Sequence, residues 1–181
     1  MSPPKVIETA RLQLTPPVLE DAGEIFASYA RDPEVTRYLV WQPHESIEPT
    51  RDFVLRCMAV RALEVAYPWV IRRKGDARLL GMIEIRLDGY RADLGYVLAR
   101  PYWGQGIMTE AVRAVVDWAI GEPEIHRVWA VCDVDNKASA RVLEKAGMEL
   151  EGVLRRWSIH PNISEFPRDC VCYAKVKWPT V

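Results

Sequence analysis

The sequence predicts a single-domain α/β fold, a mixed, mostly antiparallel twisted sheet with helices on both faces. Three strand-like runs lie between residues 66 and 99, and turns at Lys74-Gly75-Asp76 and Asp88-Gly89 separate them into an antiparallel meander. A strand, a helix and another strand then follow between residues 91 and 133, which implies a parallel pair joined by a right-handed crossover. The 181 residues suit one domain over 1–181.

The first part of the chain alternates between extended and helical patterns. In order, we expect a loose arm over 1–8, a strand over 11–16, a helix over 19–31, a loop over 40–49 and a second helix. Ala22, Ile25 and Tyr29 recur at helical spacing in the first helix, which Asp32-Pro33 ends. The second helix should bury an apolar stripe that includes Val54, Cys57 and Met58.

The remaining elements follow the meander. A helix over 106–120 should end with Gly121 as its C-cap. In the run from 125 to 133, apolar residues occupy both the odd and the even positions, which predicts a central strand covered on both faces. Asn136 and Gly147 mark the ends of another helix, and two strands are expected between residues 150 and 178.

Composition excludes several classes of function. The chain carries 24 basic and 25 acidic residues, a net charge of −1, which argues against electrostatic binding of nucleic acid or an anionic membrane. The four cysteines form no CxxC pair and the three histidines are scattered, so we expect no metal site. No apolar run approaches the roughly 18 residues of a membrane span, and the N-terminus lacks a signal-peptide core. The sequence therefore predicts a cytoplasmic protein.

Two glycines, Gly104 and Gly106, stand at the entrance of the helix over 106–120. Without side chains there, a phosphate can approach the unpaired N–H groups of the first turn. No lysine or arginine lies between Trp103 and Val112, so main-chain donors would bind the anion. Ile107-Met108 excludes a P-loop and Thr109 breaks a dinucleotide fingerprint. A plain loop-to-helix junction is the alternative.

A second helix entrance supports a ligand at this edge of the sheet. Asn136 and Ser139 lie at the top of the inward-facing stripe of their helix, past the carboxyl end of a parallel strand. The alternatives are an ordinary N-cap for Asn136 and a satisfied first-turn hydroxyl for Ser139.

The segments ADLGYVLARPYWGQGIMTEAVRAVVDWA and HRVWAVCDVDNKASARVLEKAGMELEGVLR resemble the GCN5-related N-acetyltransferases (GNAT). Together with ETARLQLTPPVLEDA and DCVCY, they are most similar to the RimJ/RimL-like branch, which acetylates protein N-termini or small amines. The resemblance spans nearly the whole chain. It implies acetyl-CoA as the donor and no metal.

By this resemblance, the pyrophosphate loop is Trp103, Gly104, Gln105, Gly106, Ile107 and Met108, with N–H donors continuing to Thr109. Met108 departs from the small residue that the family has there. The main chain of Tyr96, Val97 and Leu98 would pair with the pantetheine arm, and Asn136 would bind that arm by a hydrogen bond. Lys137, Arg141 and Lys145 would meet the 3′-phosphate or adenosine, unless they form a solvated helix face.

Acetyl transfer requires that the acceptor ammonium lose a proton and that the carbonyl oxygen and the thiolate be stabilised. By the resemblance, Ser139 would protonate the sulfur and a backbone N–H at Val97 or Leu98 would bind the oxyanion. Asp93 stands where this branch has glutamate, and its shorter side chain favours a water relay. Glu84 is the other candidate base. Both carboxylates have an alternative as exposed or cross-strand-paired groups.

The acceptor pocket is expected between Tyr38, Trp41 and His44 on one side and the loop from Asn162 to Asp169 on the other. The alternative is that these aromatic residues pack on the core. The acceptor is a small-molecule amine or a protein N-terminus, ribosomal proteins included, and a homodimer stays open. No cysteine has a histidine partner in a motif, so the prediction is direct transfer without an acetyl-enzyme.

Two other functions are compatible with parts of the pattern. A non-catalytic acyl-CoA-binding regulatory module would bind the donor and release no thiol. A nucleotide-binding oxidoreductase would bind NAD and not coenzyme A.

Overall fold

The computed structural model describes residues 3–178 and contains one eight-stranded sheet in the order β1-β2-β3-β4-β5-β6-β8-β7. The strands are β1 (Ile7–Glu8), β2 (Leu12–Thr15), β3 (Ala66–Arg73), β4 (Leu79–Asp88), β5 (Arg91–Leu98), β6 (Arg127–Asp133), β7 (Glu149–Ser158) and β8 (Arg168–Val176). Among the described strand pairs, β5 and β6 are parallel and the others are antiparallel. The predicted fold class is confirmed.

Five helices pack on this sheet: α1 (Ala22–Ile25), α2 (Pro33–Thr36), α3 (Glu48–Ala62), α4 (Ile107–Gly121) and α5 (Lys137–Lys145). A 3₁₀ turn over Leu19–Asp21 precedes α1, and a wider π-helical turn over Phe26–Ala30 continues it. Asp32 caps α2 by accepting from the N–H of Glu34 at 2.9 Å. The single helix expected over 19–31 is thus an interrupted one.

The two faces of the sheet carry two separate hydrophobic cores. Because successive side chains of a strand point to opposite faces, Ile83 and Ile85 join the core under α4, whereas Met82 joins the core under α1 and α3. The α4 core is the larger, and Val112 and Val115 are fully buried in it. A site between β5 and β6 therefore has a wall on each face.

The expected loose arm is wrong for the described residues. Ile7 pairs with Leu14, and the carbonyl oxygen of Pro4 accepts a hydrogen bond from Trp69 Nε1 at 3.3 Å. These contacts bind residues 3–8 to the sheet, because the buried indole of Trp69 needs an acceptor. Residues 1–2 of the arm lie outside the described chain.

Three smaller expectations also need correction. Met58 is exposed, since the buried stripe of α3 consists of Thr50, Val54 and Cys57. Gly121 is the last residue of α4, and extended Glu122 caps the helix.

The third concerns β6, which is covered on one face only. Val128 and Ala130 are buried under α4, while Trp129 and Val131 are half-buried because their face borders a cavity.

Candidate functional site

The site lies where β5 and β6 separate. Their pairing is confined to Arg91–Asp93 against Arg127–Trp129, although β5 continues to Leu98 and β6 to Asp133. A cavity of about 450 Å³ occupies the gap and is lined by residues from both faces of the sheet. It therefore connects the α4 and α5 side with the α1 and α3 side, and two reactants can enter from opposite faces.

The free edge of β5 presents main-chain groups to this gap. Ala99 N donates to Leu80 O at 2.8 Å, so by alternation the main chain of Val97 faces β4. The main-chain groups of Tyr96 and Leu98 then face the gap. This excludes Val97 as the main-chain oxyanion donor, and Leu98 is retained. Val97 lines the cavity only with its side chain.

The glycine loop, defined as residues 103–109, leads into α4 with unpaired donors. Gly104 and Gly106 have φ of 74° and 72°, a left-handed conformation in which a Cβ is strained. Among the described residues, none accepts a hydrogen bond from the N–H groups of residues 104–109. A Cβ built on Gly104 would meet nothing within 4 Å. Such a run of free N–H groups at a helix start fits a phosphate.

The side chains of this loop point away from those donors. Ile107 and Met108 are buried in the α4 core, so they are available to a ligand only through the main chain. Met108 therefore fits the loop without displacing it. Trp103 Nε1 donates to Leu98 O at 2.7 Å and joins the loop to the end of β5.

Two arginines that are distant in sequence hold Gln105 in place. Its main-chain oxygen accepts from Arg11 Nη1 at 3.2 Å, and its Oε1 accepts from Arg73 Nη2 at 2.6 Å. Its own Nε2 donates to Pro101 O at 2.8 Å. The Gln105 side chain is thus committed to the protein. The sequence prediction missed both arginines, because only the pairing of β2 with β3 brings them beside the loop.

The start of α5 shows how Asn136 and Ser139 are used in the free protein. Asn136 Oδ1 accepts from the Ser139 N–H at 3.1 Å, so Asn136 caps the helix and its Nδ2 group remains as a donor. Lys137 Nζ donates to Val134 O at 2.6 Å. Arg141 and Lys145 are exposed. These contacts support the capping and solvated-face alternatives without testing a role in binding.

Ser139 and Tyr96 form a hydroxyl pair in the cavity wall. Their oxygens are 2.7 Å apart, and the Tyr96 hydroxyl also lies 3.2 Å from the Ser139 carbonyl oxygen. Burial raises the pKa of Tyr96, which keeps its hydroxyl protonated at neutral pH. The neutral phenol therefore holds the Ser139 hydroxyl in the cavity wall, where it faces the gap.

The two candidate bases share one arginine. Arg86 Nη1 donates to Glu84 Oε1 at 2.6 Å, and Arg86 Nε donates to Asp93 Oδ2 at 2.8 Å, with a second bond to Asp93 from Nη2. Burial opposes the charged guanidinium, but these bonds outweigh it and raise the pKa of Arg86. Among the described residues, Glu84 Oε2 and Asp93 Oδ1 have no hydrogen-bond partner. We call these three residues the Arg86 cluster.

The hairpin turn carries the signal for this cluster. Asp88 pairs with Arg91 next to the turn. Two residues further from the turn on each strand, Arg86 lies opposite Asp93. The Asp88-Gly89 turn was visible in the sequence, so the pair could have been predicted from the register.

The opposite wall is built by loops. Tyr38 and Trp41 line the cavity as expected, but His44 does not: its ring packs on Trp41 at 5.0 Å between centroids. His44 Nδ1 is bonded to Thr50 Oγ1 at 2.7 Å. The sequence placed His44 in the wall because it lies close to Trp41 along the chain, whereas the turn directs it behind the indole.

The β7–β8 loop closes this wall. Asn162 Nδ2 donates to Thr36 O at 2.7 Å and to Trp41 O at 2.8 Å, so one amide joins two distant segments. On the sheet side, Trp129 and Trp157 line the cavity as an edge-to-face pair with centroids 6.4 Å apart. The sequence prediction missed Asn162 as a bridge and both tryptophans as lining residues, since no local pattern marks them.

A buried cluster stands at the far end of β6. Asp133 is 1% exposed and accepts from Arg168 Nε at 2.6 Å and Nη2 at 3.1 Å. His160 Nε2 lies 3.7 Å from both Asp133 Oδ2 and Cys170 Sγ. The expectation that no cysteine has a histidine partner is therefore wrong. Burial raises the pKa of Cys170 to about 11, so it remains a thiol and not a nucleophile.

The four cysteines, Cys57, Cys132, Cys170 and Cys172, are buried free thiols. Within residues 3–178, no three His, Cys, Asp or Glu side chains are grouped so as to hold a metal ion. In the same part of the chain, none of the helices has the length and apolar character needed to cross a membrane.

Comparisons with known proteins agree with this geometry. The model of the acetyltransferase (GNAT) domain matches residues 11–149. The uncharacterised N-acetyltransferase YoaA of Bacillus subtilis is 33% identical over 95% of this chain and 97% of its own length.

Two solved structures share the fold. The microcin C7 self-immunity acetyltransferase MccE, in complex with acetyl-CoA and AMP, is 25% identical with a TM-score of 0.83, over 93% of this chain and 94% of its own. RimL, a ribosomal L7/L12 α-N-protein acetyltransferase in complex with coenzyme A, has a TM-score of 0.83 at 22% identity, over 94% of this chain and 97% of its own.

Proposed function

The chain belongs to the GNAT acetyltransferase family and is an N-acetyltransferase that uses acetyl-CoA, and from that premise we propose that it transfers acetyl directly to a primary amine in a ternary complex. The observation that carries the proposal is the cavity between β5 and β6, which is lined from both faces of the sheet. Donor and acceptor can meet there without an acetyl-enzyme.

The glycine loop fits the pyrophosphate of the donor. Its free N–H groups and the open space at Gly104 supply donors without a side chain in the way. The exposed main chain of Tyr96 would pair with the pantetheine arm as in an added strand, and Asn136 Nδ2 would donate to it. Leu98 would contribute its N–H elsewhere, because its carbonyl oxygen already accepts from Trp103 Nε1. When bound, acetyl-CoA supplies an activated acyl group.

Ser139 would give a proton to the departing thiolate. Its hydroxyl is hydrogen-bonded to the Tyr96 hydroxyl, which would hold it in place, and water in the cavity would return the proton that Ser139 gives to the sulfur. The Leu98 N–H is the main-chain donor for the oxyanion. A general acid of this kind contributes about 100-fold or more to the rate.

The Arg86 cluster would take the proton from the acceptor ammonium through water. Glu84 Oε2 and Asp93 Oδ1 are the oxygens that the guanidinium leaves available. A direct role for either carboxylate is weakened because the hydrogen bond in its ion pair with Arg86 occupies one of its two oxygens. This same ion pair is the observation that favours the alternative, a non-catalytic acyl-CoA-binding module. The family assignment gives no support to the oxidoreductase.

The acceptor is a small amine or a protein N-terminus. Similarity to RimL, whose substrate is a ribosomal protein, supports a ribosomal N-terminus as one member of this class. The cytoplasmic location and the homodimer stay predictions.

A thiol-release assay with acetyl-CoA and a panel of amines and N-terminal peptides tests the function. We expect amine-dependent release of coenzyme A, intersecting initial-velocity lines, and no acetylated protein by mass spectrometry. Ser139→Ala should lower kcat about 100-fold with little change in coenzyme A affinity, while Ser46→Ala, at an exposed serine outside the cavity lining, serves as the control. Binding of coenzyme A without thiol release from any amine would favour the regulatory module, and parallel velocity lines would contradict direct transfer.

A further inference from the structure

The Arg86 cluster sets the charge of the part of the cavity that would bind the acceptor amine. Glu84 and Asp93 contribute two negative charges, and the guanidinium that bonds to both contributes one positive charge. All three residues line the cavity, and the Arg86 side chain is 47% exposed. The cluster therefore carries one net negative charge.

One negative charge suits an acceptor with one ammonium group. A second or third ammonium on the same molecule would have no free carboxylate in the cluster and would lie close to Arg86. Like charges brought together in this way oppose binding. A cavity that binds polyamines would need an excess of at least two acidic groups over its basic ones, whereas this cluster has an excess of one.

The surfaces next to the cluster are aromatic. Trp129 is the register partner of Asp93 on β6, and Trp157 packs edge-on against it. Trp157 is 51% exposed although it lines the cavity, and Tyr38 and Trp41 stand on the opposite wall. Aromatic side chains that line a cavity and keep part of their surface exposed indicate an apolar ligand.

We propose that the acceptor is a monoamine whose nitrogen is attached close to an aromatic or similarly bulky apolar group, and that Arg86 excludes polyamines. This inference rests on the proposed function and names its substrate class. The ammonium binds at Glu84 and Asp93, and its apolar group packs on Trp129 and Trp157. A small aromatic amine and a peptide that begins with an aromatic residue share this chemistry.

The experiment compares phenethylamine, the tripeptide amide Phe-Ala-Ala-NH2 and spermidine in the thiol-release assay. We expect phenethylamine or the peptide to exceed spermidine in kcat/KM by tenfold or more, and the better of the two identifies the source of the amine. A wild-type preference for spermidine would overturn the proposal.

Arg86→Met tests the cause of the selectivity. Removing the guanidinium leaves two carboxylates, so the preference for the monoamine over spermidine should fall roughly tenfold, which equals about 1.4 kcal/mol and is within the range of one close charge pair near a protein surface. Arg91→Met is the matched control, because Arg91 is a similarly exposed arginine of the same hairpin paired with Asp88 outside the cavity lining. An unchanged preference in Arg86→Met would refute the role of Arg86.

Trp157→Ser tests the apolar contact. It should lower kcat/KM for phenethylamine about fivefold, within the range of one aromatic contact, whereas Trp178→Ser, at an exposed tryptophan outside the cavity lining, should have no effect. Binding of each amine to the coenzyme A complex can also be measured by the quenching of tryptophan fluorescence, which requires no catalysis. If phenethylamine binds in preference to spermidine but no thiol is released, the substrate class stands and the proposed catalysis fails.

Discussion

The two halves of the cavity are built from different parts of the polypeptide. The cofactor half, residues 94–109 together with Asn136 and Ser139, offers main-chain groups from one continuous segment and the start of one helix. The acceptor half offers side chains from segments far apart in the chain, among them residues 38–41, 84–86, 93, 129–132 and 157–160. Backbone conformation should therefore control the binding of acetyl-CoA, whereas binding of the amine should depend on side-chain contacts between distant segments.

The largest expected effect lies behind the acceptor half, at the buried Asp133 that follows the lining residues of β6. Asp133→Asn removes the buried partner of Arg168 and should lower the free energy of unfolding by about 3 kcal/mol, measured by denaturant unfolding at pH 7. Asp135→Asn is the control, because Asp135 bonds the same guanidinium but is 65% exposed, and it should cost under about 1 kcal/mol. Equal losses in both variants would contradict the importance of burial.

Asp133 also makes the free energy of unfolding depend on pH. Burial acts to raise its pKa, but hydrogen bonds from Arg168 and from the Asp135 N–H outweigh burial and lower the pKa below its usual value of 3.8. Because the folded-state pKa is the lower one, this contribution to stability is complete above about pH 5 and is lost as the pH falls through the folded-state value. Unfolding measured from pH 6 down to pH 3 should show a shallower loss in Asp133→Asn than in the wild type.

The next effect tests the backbone of the cofactor half. Gly104→Val forces a β-branched residue into a left-handed conformation and fills the space before the free N–H groups. We expect coenzyme A affinity to fall about 10- to 100-fold by titration calorimetry, the equivalent of one or two lost bonds to a charged group. Gly23→Ala, in α1, should leave it unchanged. An unaffected affinity would refute the glycine loop as the phosphate site.

Asn162 tests the junction between distant segments. Asn162→Ala removes both hydrogen bonds to the 36–41 loop, which should lower the free energy of unfolding by about 1–2 kcal/mol. The KM for the amine should rise while the KM for acetyl-CoA stays the same. A rise in both constants would show that the two halves do not act separately.

The smallest effect concerns the arginines behind the glycine loop. Arg73→Met frees the Gln105 side chain and should weaken the binding of acetyl-CoA about threefold, which is the equivalent of one exposed hydrogen bond. S-acetylpantetheine, which lacks the pyrophosphate, should react as with the wild type. Lys74→Met is the control, since Lys74 is a neighbouring exposed cation paired with Glu8. Equal losses with both donors would place the effect outside the loop.

The predictions for the two halves fared differently. The sequence indicated the glycine loop, the start of α5 and the strands on either side of the gap, because each is encoded by neighbouring residues. It also identified Glu84 and Asp93 but not the arginine between them, although the hairpin register contained that pair. His44 was misplaced, and Asn162, Trp129, Trp157 and His160 had no local signal, since each acquires its position through packing against residues tens of positions away.

The sequence by itself determined most of the order of strands and helices along the chain, the parallel crossover, the glycine entrance of α4 and the hairpin register that sets Arg86 opposite Asp93. Hydrophobic period, turn residues and glycine placement act over a few residues. Only the tertiary structure decided that Arg86 binds Glu84 as well, that Arg11 and Arg73 hold Gln105, and that Asp133 is buried with Arg168. The physical reason is that the charge and solvation of a side chain depend on its neighbours in space, and the sheet brings those neighbours from distant parts of the chain.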